Sequence, residues 1–339
     1  MIFKRKILIA AILFGILVIL VFPALMAGQY SIETVEVFGL IWSKITGGTP
    51  PDISRAQEII IWKIRLPRIL LALTAGLALA TSGAVYQGCF RNPLVEPYIL
   101  GVSAGAACGA ALAIVYPHIF PQIQLSAFFF ALFAVSVTYT LARNRGETSA
   151  VALVLSGIIV GALFGALVGI MKYLAADAQL REITFWMMGG LYYATWDDAL
   201  RVIFCVMPVF LFIWWYCWHL NILSLGDEEA RSLGINPSLS RFLFVIAATF
   251  IAAVCVSTCG IIAWVGLMMP HAVRLLFGPD NRWVVPGAAM LGGIFLLICD
   301  TIGRTLAAAE IPLGIVTSIV GAPYLLWLLR AKGREIYGR

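Results

Sequence analysis

Charged residues are scarce in this chain, 12% of 339, and histidine occurs only at His118, His219 and His271. There is no G-x-x-x-x-G-K-[ST] phosphate loop, no H-E-x-x-H and no G-x-S-x-G. The chain therefore shows no nucleotide site, metalloprotease helix or serine-nucleophile elbow of its own. Cys89, Cys108, Cys205, Cys217, Cys255, Cys259 and Cys299 include no C-x-x-C pair and sit mostly in apolar runs. Neither a disulfide framework nor a thiolate metal site is supported, and Cys255 and Cys259, which share a helix face, read as small buried hydrophobes. The net charge is +6, but the bases are dispersed at the ends of apolar runs. That pattern belongs to membrane topology rather than to nucleic-acid binding.

What the chain has in abundance is hydrophobic sequence, 62% of residues. This places it among all-α, polytopic membrane proteins, as a single transmembrane domain over residues 1–339. Apolar runs long enough to cross a bilayer fall near 7–27, 60–82, 97–116, 123–142, 149–171, 200–218, 242–262, 284–301 and 314–330. The first follows Lys4-Arg5-Lys6 and extends to Ala27 without a convincing cleavage site, so it reads as a span rather than a signal peptide. Both basic ends ask to be cytoplasmic, which requires an even number of crossings. A tenth, shorter crossing is available at 263–277, where Pro270 is expected to bend or break the helix. Ten crossings put fourteen bases inside and nine outside. The external segments 28–59 and 172–199 read as surface loops with short interfacial helices.

The polar segment 219–241 is longer than a plain connector needs. Ser224 or Asp227 is placed to open a short helix with an acidic first turn, Gly234 to close it, and Pro237 to start the next. Such an element suits docking by a partner outside the membrane. Among the outside bases, Arg65, Arg68 and Arg304 gain nothing from insertion and read as an external docking surface. In the fifth crossing Gly157, Gly161, Gly165 and Gly169 recur every four residues, giving a smooth face whose first use is helix packing and whose second is to line a pathway. Thr148 and Ser149 stand where that helix is capped. The turn Arg91-Asn92-Pro93-Leu94-Val95-Glu96-Pro97 reads as rigid and structural. Few ionisable residues lie at mid-depth; Asp300 and Glu310 fall towards outer ends, so an ion-coupled carrier lacks its usual carboxylate site.

Taken in order, Arg65-Leu66-Pro67-Arg68, Arg91-Asn92-Pro93-Leu94 through Leu100-Gly101-Val102-Ser103-Ala104-Gly105-Ala106, Trp186-Met187-Met188-Gly189-Gly190, Leu225-Gly226-Asp227-Glu228-Glu229-Ala230-Arg231-Ser232-Leu233-Gly234, Gly266-Leu267-Met268-Met269-Pro270-His271-Ala272-Val273-Arg274, Asp300-Thr301-Ile302-Gly303-Arg304 and Glu310-Ile311-Pro312-Leu313-Gly314 resemble the motif series of one family. It is the permease family of type II ABC importers for cobalamin, haem and ferric siderophores. Trp264, where phenylalanine is common, and Val95, where alanine is usual, are the departures.

The resemblance implies a homodimer of ten-helix subunits with a pathway on the two-fold axis, two cytoplasmic ATPases and an external binding protein. The location implied is the cytoplasmic membrane of a prokaryote, with both termini inside. No cofactor or metal is expected on this chain; ATP and Mg belong to the ATPase. Leu225, Gly226, Asp227, Glu228, Glu229, Leu233 and Gly234 then become the ATPase-coupling residues. Thr148, Ser149, Gly157 and Gly161 become the pathway and inner gate, and Arg65, Arg68 and Arg304 meet acids of the binding protein. Some relatives carry molybdate or tungstate, and an ion-coupled secondary transporter is the remaining alternative.

Overall fold

The computed structural model of the chain describes residues 2–28, 30, 32–47, 54–144, 147–148, 150–307 and 309–337. Apart from one short strand pair, its regular elements are helices. They are α1 (Ile2–Met26), α2 (Thr34–Thr46), α3 (Arg55–Ile59), α4 (Leu66–Phe90), α5 (Val102–Val115), α6 (Ile123–Ala142), α7 (Ala150–Leu174), α8 (Asp177–Met188), α9 (Trp196–Tyr216), α10 (Trp218–Leu225), α11 (Asp227–Ser232), α12 (Pro237–Cys259), α13 (Val265–Phe277), α14 (Asn281–Thr305) and α15 (Leu313–Tyr337). A π-turn at Ile60–Arg65 joins α3 and α4 into one continuous helix.

Seven of these are long and apolar enough to cross a membrane: α1, the joined α3–α4, α6, α7, α9, α12 and α14. The other three expected crossings coincide with α5, α13 and α15, whose apolar stretches are shorter. At 1.5 Å per residue α5 is about 21 Å long, less than the roughly 30 Å hydrocarbon core. A 3₁₀ turn at Pro97–Leu100 precedes it, and Gln179 of α8 donates to the Ile114 carbonyl at its far end (3.1 Å). The end carbonyls of this short helix thus find a partner within the protein. The segments 28–59 and 172–199 hold α2 and α8, the short helices the sequence led us to expect there.

Nearly every residue of α4 is buried, which makes it the axis of the subunit. Two contacts set its neighbours. A Cβ on Gly76 would overlap the Gly292 carbonyl of α14, and one on Gly83 would overlap the Gly266 carbonyl of α13, so these backbones touch directly. Without a hydrophobic drive between helices in lipid, such close approach is what holds them together. Hydroxyls add cross-links to α12: Ser82 Oγ donates to the Ala248 carbonyl (2.9 Å), and Tyr86 shares a hydrogen bond with Thr249 (2.6 Å). Gly76→Val is therefore expected to cost about 3 kcal/mol or more. Its melting temperature in detergent should fall well below that of Gly161→Val, where an added Cβ meets nothing within 4 Å. Equal melting of the two would refute this account of the packing.

Pro270 does not break α13. A proline leaves the carbonyl four residues back without its N–H partner. Here that carbonyl belongs to Gly266 and accepts from the Gln87 side-chain amide of α4 (3.3 Å), which also reaches the Leu267 carbonyl (3.3 Å). Arg274 donates to the Gln87 Oε1 and orients the amide. The proline's missing bond is supplied from the neighbouring helix.

Candidate functional site

The segment between α9 and α12 is compact and internally braced. Gly226 (φ 143°, ψ 163°) separates α10 from α11, and a Cβ there would overlap the Glu229 carboxylate. Gly234 adopts φ 80°, a left-handed conformation natural to glycine, and closes α11. The Ile235 N–H donates to the Ala230 carbonyl (2.9 Å) and the Gly234 N–H to that of Arg231 (3.0 Å). Asn236 then caps α12, its side-chain oxygen accepting from the Leu239 N–H (3.1 Å), with Pro237 in the first helical position.

The expected cap of α11 is corrected: neither Ser224 nor Asp227 caps it. Ser224 Oγ donates back to the Asn221 carbonyl within α10 (2.6 Å), and Gly226 holds the cap position. The Asp227 carboxylate turns inward. It accepts from Arg241 (2.8 Å), a buried base on α12 that also donates to the Cys89 carbonyl (3.3 Å), and it lies 3.6 Å from Arg91. Arg91 sits in the left-handed region (φ 52°) at the end of α4. The Arg91-Asn92-Pro93 turn and the polar segment are therefore one clamped unit. Asp227 is tied to Arg241 and Arg91 with its side chain still 37% exposed, and Glu228 and Glu229 are exposed.

Among its exposed acids the clamp also presents apolar side chains. Leu225 is 61% exposed and Leu233 58%, one on each side of α11, while Ala230 between them is fully buried. Two exposed leucines thus flank a short helix that internal salt bridges hold in place.

The candidate pathway residues divide. Gly161, Gly165 and Gly169 have open space where a side chain would project, so α7 has a smooth outward face. Gly157 does not belong to it: a Cβ there would overlap the Ile99 carbonyl, which makes it a packing glycine within the subunit. Thr148 lies in a two-residue strand (Glu147–Thr148) paired antiparallel with Arg143–Asn144 immediately before α7. Ser149 lies outside the described residues.

Arg65, Arg68 and Arg304 are brought together, but they do not form an exposed surface. They are 5%, 7% and 6% exposed. Arg65 donates to the carbonyls of Leu25 (2.6 Å), Met26 (3.0 Å) and Tyr30 (2.6 Å). Arg304 donates to those of Ala27 (2.5 Å) and Ala24. These carbonyls lie at the C-terminal end of α1, where the helix leaves acceptors unpaired and favours positive charge. Arg68 forks between Asp300 (2.8–3.1 Å) and Glu310 (2.8 and 3.0 Å), and Arg304 Nε lies 3.6 Å from Asp300. The reading of these arginines as a docking face is corrected accordingly: they cap α1 and neutralise a fully buried carboxylate. Sequence reasoning saw three unexplained bases and two acids near the outer ends, but not that they were each other's explanation.

Seven helices long and apolar enough to cross a membrane, with a clamped polar segment between α9 and α12, define a polytopic membrane protein. Residues 16–331 match the FecCD transport family, and the chain belongs to that family. It is 40% identical to the hemin transport system permease protein HmuU of Yersinia pestis over 82% of this chain and 85% of that one. It is 40% identical to the cobalamin import system permease protein BtuC of Halobacterium salinarum over 87% and 80%, and 35% identical to the molybdate import system permease protein MolB of Haemophilus influenzae over 92% and 93%. The fold superposes on a metal-chelate type ABC transporter in an inward-facing conformation with a TM-score of 0.84, at 33% identity and covering 96% and 99% of the two chains. The protein is thus an ABC importer permease embedded in a prokaryotic membrane.

Proposed function

We propose that this permease works as a homodimer with two cytoplasmic ATPases and an external binding protein, and that it carries a metal chelate: haem, cobalamin or a ferric siderophore. The observation that carries the reading is the clamped knob with Leu225 and Leu233 exposed, because a chain without a phosphate loop must receive ATP-driven motion through a rigid contact. ATP and Mg would be held by the ATPase, and no cofactor by this chain. In this reading the knob and both termini face the cytoplasm. The open glycine face of α7 supports close approach of a second copy beside the pathway. The external binding protein would settle on the outer face near Glu310, with Arg65, Arg68 and Arg304 shaping that face from beneath. Ion-coupled transport without an ATPase is disfavoured because the buried carboxylate Asp300 is already matched by Arg68.

Relatives named for hemin and cobalamin support a chelate, and the molybdate relative supports an oxyanion as the second reading. Uptake by proteoliposomes containing the permease, ATPase and binding protein separates them. ATP-dependent accumulation of haem, cobalamin or a ferric siderophore is expected, and accumulation of molybdate alone would overturn the chelate assignment. Uptake without the ATPase would overturn the importer assembly. For the inner gate, cysteines placed at 148 or 149 are expected to crosslink between copies in some nucleotide states and not in others. Absence of crosslinks in every state of a proven dimer would remove the gate role.

A further inference from the structure

A cavity of about 880 Å³ runs between α1, α4, α9 and α14. Its wall is apolar along most of its length: Phe3, Phe14 and Leu17 of α1 face Trp214 of α9 and Met290 of α14. From Phe3 to Leu17 the helix rises about 21 Å, enough to take an extended acyl chain from one membrane surface past the mid-depth of a roughly 30 Å core. Charge is confined to one end. Arg282 lines that end, Trp283 lies beside it, and the Lys6 ammonium stands 5.9 Å from the Trp283 ring. Phe3 meets the same indole edge-on (5.7 Å). A tryptophan flanked by bases is the arrangement of a headgroup-level anchor.

The charged end is built into the fold. Arg282 forks onto the Asp280 carboxylate (2.8–3.1 Å), which caps α14 and accepts from Asn221 of α10 (2.7 Å). The Arg282 hydrogen bonds hold that carboxyl well below its usual range, at about 2. The bridge therefore stays ionised at working pH and fixes the Arg282 head at the mouth of the cavity. Asn221 lies on the helix leading into the docking knob, so the basic end shares its side of the membrane. Lys4, Arg5 and Lys6 add three further cations on the first turns of α1, with Lys4 and Arg5 exposed.

We propose that this cavity binds one anionic glycerophospholipid from the knob-side leaflet, with an acyl chain along α1 and its phosphate at Lys6 and Arg282. One-ended charge on an otherwise apolar groove matches an acidic amphiphile better than a protein helix, which would bring polar backbone ends to both mouths, and basic pockets between spanning helices are known to select such headgroups. The lipid would brace α1 and α14 at the level where α10 leads into the knob.

The test is native mass spectrometry of the full-length permease in detergent with added phosphatidylglycerol or phosphatidylethanolamine of identical chains. Retention of phosphatidylglycerol in preference is expected. Lys6→Glu should weaken it about thirtyfold, from roughly fivefold for each unit of charge near an anionic headgroup, while leaving phosphatidylethanolamine unchanged. Ala10→Trp, which fills the groove, should remove both lipids, with a monodisperse size-exclusion profile confirming that each variant is folded. Equal retention of the two lipids, or retention insensitive to both variants, would overturn the proposal. So would a disulfide between copies at Phe14→Cys in nanodiscs, which would place a second subunit in the groove.

Discussion

Asp300→Ala is expected to be among the most destabilising single changes in this protein, at about 3–5 kcal/mol, because it leaves Arg68 buried without its principal counter-charge. Asp300 is fully buried, and Arg68 holds it through both carboxylate oxygens. Removing the acid strands the guanidinium in a place that water cannot reach and lipid cannot solvate. Glu310, which is exposed, keeps one arm of the fork and limits the loss. Pairing Asp300→Leu with Arg68→Met should recover at least half of the lost stability, since a buried ion pair replaced as a whole by apolar groups is often neutral. Thermal melting in detergent, followed by size-exclusion chromatography, reads both variants. An Asp300→Ala protein that melts with the wild type would refute the buried network.

The same measurement tells capping from docking. If Arg65, Arg68 and Arg304 chiefly organise the end of α1, the triple Arg→Glu variant should lose folded yield before any affinity for a binding protein can be measured. A variant that folds normally and loses only that affinity would restore the exposed-surface reading. Either way the outcome is set by the carbonyls of Ala24, Leu25, Met26 and Ala27, which need donors at the helix end.

The course of the spans was legible in the sequence because it rests on apolar length, and all ten expected crossings coincide with helices. The partners of polar groups were not. Nothing in the one-dimensional pattern says that Gln87 stands opposite the carbonyl Pro270 leaves empty, or that Asp227 turns back to Arg241. Those pairings join residues far apart in sequence or across a turn whose direction only the fold decides. Trp264 is a similar case: it appeared only as an unusual residue in a motif. In the structure its backbone is left-handed (φ 76°), its indole N–H donates to Ser318 (3.1 Å), and its ring occupies the space a side chain on Gly321 would need. The glycines 157, 161, 165 and 169 looked equivalent by spacing, yet the turn at Pro97–Leu100 covers the first and leaves the others open.

Leu233→Asp is expected to abolish co-purification with the ATPase while leaving the permease folded. Leu233 is exposed in the subunit, so its replacement costs little in the fold itself. At an interface, a fully buried leucine contributes about 1.5–3 kcal/mol, roughly ten- to a hundredfold in affinity, and an aspartate buried in its place adds a desolvation penalty. Leu225→Asp should act in the same way from the other side of α11. Glu228→Lys and Glu229→Lys should change affinity by only a few-fold, because exposed ion pairs contribute little. Gly234→Pro is a different lesion: proline cannot adopt a φ of 80°, so the end of α11 must rearrange, and the segment should become sensitive to proteolysis before assembly is tested. Asp227→Ala should resemble Gly234→Pro rather than Leu233→Asp, since it releases the knob from Arg241 and Arg91 without touching its outer face. Pull-down of the ATPase, limited proteolysis of the permease and ATP-driven uptake, measured on the same set, separate the contact from the clamp. Leu233→Asp and Leu225→Asp proteins that assemble and transport at the unmodified rate would show that the knob does not carry the coupling, because no other feature of α11 combines exposed apolar surface with rigid support.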